Sequence, residues 1–106
     1  MIAMMTEHIA LSRLTNGEVL NLAGHDRGVA ARDLFELSRL DEIQDEVIVE
    51  IPSEFRGLSS SFFQGMFAES VRKFASAHEF FEHYKFAAPA HIRSKLIDYA
   101  EQVAAR

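Results

Sequence analysis

The sequence predicts a single α/β domain with a small mixed β-sheet and helices packed on it. Three observations predict it. Short β-rich runs alternate with segments of helical periodicity, which is the pattern of strand–helix–strand units. One run, residues 46–51 (EVIVEI), carries apolar residues on both of its faces, as a central strand covered by helices would. The chain has 106 residues of which 48% are hydrophobic, enough for one core and one domain.

The elements follow in order. Residues 1–7 read as an N-terminal tail and residues 8–106 as the domain. Residues 8–14 (HIALSRL) read as a strand, Asn16-Gly17 as a tight turn, and residues 18–22 (EVLNL) as the returning strand of a hairpin. Ala23-Gly24 breaks that strand. Asp26 is the expected N-cap of a helix over residues 27–40, with Val29, Ala30, Leu34 and Leu37 toward the core. Arg27, Arg32, Asp33, Glu36 and Arg39 are expected mostly outside. The acidic residues 41–46 form a solvated loop in this reading, and Pro52 closes the 46–51 strand. Ser59, Ser60 and Ser61 then open a second helix reaching Ala75, with Phe62, Phe63, Met66, Phe67, Val71 and Phe74 as its apolar stripe. Residues 80–86 (FFEHYKF) read as an edge strand. Pro89 suits the first turn of a last helix, lined by Ile92, Leu96, Ala100 and Val103. The predicted order is β-β-α-β-α-β-α, with parallel pairs joined by right-handed crossovers and one antiparallel hairpin.

Composition narrows the function. The formal net charge is −5, and the eight arginines are scattered, so neither nucleic acid nor a membrane surface is an expected partner. The absence of cysteine excludes disulfides, thiolate nucleophiles and thiolate metal sites. Residues 1–5 lack the apolar region of a signal peptide, and no apolar run reaches bilayer length, so a cytoplasmic location is expected. The five histidines form no His-x-x-x-His or Glu-x-x-His pattern. No metal, other cofactor or catalytic residue is expected. A Ser–His pairing of the serine cluster with His25 is conceivable, but the sequence does not position it.

One segment resembles a known family. Gly57-Leu58-Ser59-Ser60-Ser61-Phe62-Phe63-Gln64-Gly65-Met66-Phe67, ending near Val71-Arg72, is similar to the STAS-like family of unknown function. That family is related to the STAS domains of sulphate transporters and anti-sigma-factor antagonists. Residues 26–32 (DRGVAAR) and 84–104 resemble its helix entry and its closing strand, turn and helix. The resemblance implies a STAS-like fold with a phosphoacceptor serine at the loop–helix junction, serving a histidine-kinase-like ATPase. Residue by residue, Ser59 stands where that motif has Asp, Ser60 at its first Ser, Ser61 at the phosphoacceptor and Phe62 at its Gly. The two departures remove an acidic group and a position that permits close backbone approach.

Ser61 and Ser60 are therefore the candidate phosphoacceptors. Arg56, Ser59, Ser60, Ser61, Phe63 and Arg72 are the candidate partner-binding residues. A serine that caps the helix accounts for the same cluster without any function, and the phenylalanine stripe reads as core unless Phe63 or Phe67 emerges at the surface. The expected function is a non-enzymatic regulatory or scaffolding module that binds a protein, with the ATPase in trans as the implied partner class and a homodimer compatible. The alternative is a small acidic inhibitor or decoy. Its mark would be a contiguous acidic face joining Asp41, Glu42, Asp45 and Glu46 to Glu50 or Glu54. A small hydrolase is the third class, requiring His25 within reach of a serine.

Overall fold

The computed structural model describes residues 6–15 and 21–106. They form an α/β domain with a three-stranded parallel sheet and five helices. The elements are β1 (Glu7–Ala10), β2 (Asn21–Leu22), α1 (His25–Leu34), α2 (Leu37–Leu40), β3 (Val47–Glu50), β4 (Gly57–Leu58), α3 (Ser60–Lys73), α4 (Ala77–His83), β5 (Tyr84–Ala87) and α5 (Ala90–Ala104). A 3-10 turn, Leu11–Leu14, follows β1.

The main sheet has the order β1-β3-β5, with Val47 opposite both Glu7 and Tyr84. Both crossovers step the same way across it, so one handedness puts their helices on one face. Burial agrees. Ile9, Val47, Val49 and Tyr84 point into the core, whereas His8, Glu50, Lys85 and Ala87 face out and Ile48 is half-buried. The expectation of a sheet covered on both faces is corrected: among the described residues, helices cover one face.

The antiparallel hairpin is also corrected. β2 does not pair with β1; it pairs in parallel with β4, Asn21 opposite Gly57 and Leu22 opposite Leu58. The Asn16-Gly17 turn and residues 18–20 lie outside the described residues. Every strand pairing among the described residues is parallel.

The β2–β4 clamp launches α1 and α3 side by side. They cross at two glycines. A Cβ on Gly28 would lie 2.2 Å from the Phe62 carbonyl oxygen, and one on Gly65 would lie 2.2 Å from that of His25. Only a residue without a side chain lets the backbones approach so closely. This contact sets the rotation of α1. Its buried positions are Gly28, Ala31 and Arg32, while Val29 is 39% and Leu34 52% exposed. The expected face was wrong by about one residue's turn because glycine and arginine, not the larger aliphatics, point inward.

The first helix ends at Leu34 rather than running to residue 40. Glu36 takes a left-handed conformation, φ 55°, and starts the separate turn α2. The expected Asp26 cap is replaced by Gly24, φ 97°, with Asp26 in the first turn. Residues 80–83 are helical, not extended: Ser76 Oγ accepts the Glu79 N–H at 3.1 Å and caps α4. β5 starts only at Tyr84 and lies at the sheet edge as expected. α5 buries Ile92, Leu96, Ala100 and Val103, as its periodicity predicts. No helix among the described residues is long and apolar enough to cross a membrane.

Candidate functional site at the serine junction

β4 delivers the chain to the N-terminus of α3. Ser59 N–H donates to the Leu22 carbonyl at 2.8 Å, extending the β2–β4 clamp by one bond. Its extended backbone turns into the helix, and its Oγ accepts the Phe62 N–H at 3.1 Å. Ser59 is thus the N-cap, satisfying one of the donors that a helix start leaves open. Ser60 is the first helical residue and half-buried; Ser61 follows it and is exposed. The hydroxyls of Ser59 and Ser61 lie 3.1 Å apart. Ser61 therefore projects at the positive end of a fourteen-residue helix, where added negative charge is favoured.

Arg56 lies just before β4 and is exposed. With Gly57, Leu58, His91, Lys95 and Tyr99 it lines a recess of about 180 Å³. Two cations, Arg56 and Lys95, and the His91 imidazole line it with no acidic side chain, against the acidic balance of the whole chain. His91 Nε2 is held 3.2 Å from the Phe55 carbonyl.

Two expected partner-binding residues fall elsewhere. Arg72 is exposed on the last turn of α3, thirteen residues and so about 20 Å along the axis from Ser59. Phe63 is fully buried. Its ring meets Phe67 at 5.3 Å and Tyr99 at 5.8 Å between centroids. Phe67 is also fully buried. α3 runs between α1 and α5 above the sheet, so Ser61, Glu69, Arg72 and Lys73 are the residues it leaves exposed.

His25 does not join the serines. Its Nδ1 lies 3.9 Å from Asp26 Oδ1, whereas the side-chain hydroxyls of Ser59 and Ser61 bond to the Phe62 N–H and to each other. Among the described residues, no group of three His, Asp or Glu side chains could hold a metal ion.

The sequence reading missed a buried polar network on the far half of α3. Arg32, expected outside, is buried together with Asp41 and Ser70. Its guanidinium donates from Nη2 to Asp41 Oδ2 at 2.8 Å, and from Nη1 to Ser70 Oγ at 2.8 Å and the Met66 carbonyl at 2.9 Å. Its Nε pairs with the exposed Glu69 at 3.2 Å. Ser70 and the Tyr84 hydroxyl donate to Asp41 Oδ1 at 2.6 and 2.5 Å. Four segments are thus tied to one carboxylate: α1, the turn after α2, α3 and β5.

Burial pushes the Tyr84 hydroxyl well above the ordinary tyrosine range, with the bond to Asp41 and its charge adding to the effect. Among the described residues no buried side-chain N or O is left without a hydrogen bond. Such a closed network fixes packing.

Asp41 does not join an outward acidic face, because it is buried; Glu42 is paired with Lys73, and Glu50 lies 3.9 Å from His8.

No family model, no curated protein and no solved structure matches this chain.

Proposed function

We propose that the protein is a non-enzymatic regulatory or scaffolding module of STAS-like fold that binds a protein partner at the serine junction. The carrying observation is the placement of Ser60 and Ser61 in the first turn of α3, with Ser61 exposed while Ser59 alone caps the helix. A phosphoryl group on Ser61 would add a charge of about −1.5 to −2 at the positive helix end. That would change the surface without disturbing the cap. Arg56 and the basic recess beside β4 are the adjoining contact for a partner's carboxylates. The partner class implied by the resemblance is a histidine-kinase-like ATPase acting in trans.

Two further observations support a binding module over an enzyme. The ionisable groups of the interior are mutually satisfied, and His25 and the serines lack the linkage that nucleophilic catalysis requires. The decoy reading lacks Asp41 in its acidic face, since that carboxylate is buried. The test is affinity purification from the native host with intact-mass measurement of the recovered chain, followed by affinities of Ser60→Asp and Ser61→Asp for the recovered partner. An ATPase partner, a mass gain of about 80 Da and a changed affinity for Ser61→Asp are expected. An unmodified chain whose partner ignores both substitutions overturns the proposal.

A further inference from the structure

A cleft lies away from the serine junction, between α4, the outer edge of β5 and α5. Its volume is about 480 Å³, within the range of small-molecule sites. Phe81, Phe86, Leu96 and Ile97 form its apolar walls. Ile97 is 44% exposed and adds to that apolar surface.

The margins carry charges of both signs. Arg93, Ile97 and Glu101 follow one another at intervals of four on α5, so they share a face. Arg93 and Glu101 are separated by eight residues, about 12 Å along the axis. Lys85 on β5 joins the lining. Among the described residues neither Arg93 nor Lys85 has a carboxylate partner; Arg93 donates only to the Ala88 carbonyl, at 3.2 Å. In a chain of net charge −5, two cations without counter-ions beside an apolar wall select an anionic head on an apolar body. Glu101 at the other end repels a second negative charge.

A peptide strand is the poorer occupant. β5 is four residues long, and Arg93 already covers the Ala88 carbonyl at the end of its edge. Little of the backbone ladder remains for an added strand.

We propose that this cleft binds a small monocarboxylate with an apolar body about 12 Å long, such as a medium-chain fatty acid, with its carboxylate at Arg93. α5 stands between this site and the serine junction: His91 and Lys95 face the recess beside Arg56, whereas Arg93, Ile97 and Glu101 face the cleft. The inference is independent of the partner reading.

The test is titration of the full chain with octanoate, followed by backbone amide NMR. Saturable shifts at Phe81, Phe86 and Ile97 are expected, and octylamine should produce none. Ile97→Asp should abolish binding, and Arg93→Gln should weaken it at least about fivefold; far-UV circular dichroism checks that both variants fold. Octanoate that fails to saturate overturns the proposal, as does octylamine that binds equally or an affinity unchanged in either variant. Shifts of the same amides that depend on protein concentration without octanoate would assign the cleft to a second copy of the chain instead.

Discussion

Replacing Arg32 with Met should be among the most damaging single changes in this protein. Methionine fills much of the same volume, so the loss is electrostatic rather than a cavity. It removes donors to Asp41, Ser70 and the Met66 carbonyl, all at 2.8–2.9 Å. Asp41, itself 7% exposed, then keeps its charge with only two hydroxyl donors. Breaking a buried pair from one side costs about 3–5 kcal/mol. A domain of this size has about 5–15 kcal/mol in total, so the variant should be marginal. The cost is that of the stranded carboxylate, which gives the argument a sharper form. Asp41→Asn should destabilise the native sequence yet stabilise the Arg32→Met variant, because the amide keeps an acceptor for Ser70 and Tyr84 while removing the charge. Urea unfolding of the four proteins at neutral pH measures both effects. A cost for Arg32→Met below about 1 kcal/mol refutes the reasoning. So does an Asp41→Asn change that weakens the Arg32→Met protein further.

Other perturbations have definite signs. Gly65→Ala should destabilise by about 1–3 kcal/mol, although helix propensity alone favours it, because its Cβ would strike the His25 carbonyl at 2.2 Å; a thermal melt decides the sign. Ala75→Gly should raise stability by about 1 kcal/mol, since Ala75 holds φ 68° just past α3. Ser59→Ala should cost about 1 kcal/mol through the lost cap, and Ser61→Ala under about 0.5 kcal/mol, as seen by urea unfolding. The raised Tyr84 ionisation gives a pH test. Stability from the neutral hydroxyl is complete below about pH 10, where the unfolded tyrosine ionises, and is lost as pH rises further. Its contribution should fall by about 1.4 kcal/mol per pH unit, and Tyr84→Phe should lack that slope when the two proteins are compared up to pH 11.

Much of this architecture can be read from residue order. The 46–51 run, the serine-capped third helix and the Pro89-started last helix declare themselves through periodicity and caps. The misreadings have local physical causes. Phe80, Phe81 and His83 have strand-like chemistry, but Ser76 and Glu79 stand at the spacing of a capping box and start a helix. Val29 and Leu34 suggested the wrong face of α1 because the determinant was a glycine contact with a helix 37 residues later, which no single segment encodes. Arg32 is expected outside for the same reason: its partners Asp41 and Ser70 come from two other segments. At the candidate site the serine cap was legible, whereas the burial of Phe63 and the separation of Arg72 depended on α3 lying between two helices.

The most direct test of the proposed role is to measure binding of the native chain and of Ser61→Asp to the partner recovered from the host, under identical conditions. A regulatory surface at the serine junction predicts an affinity changed at least about tenfold, or about 1.4 kcal/mol, with the fold intact by circular dichroism. Equal affinities for the two chains would contradict a partner-binding switch at Ser61.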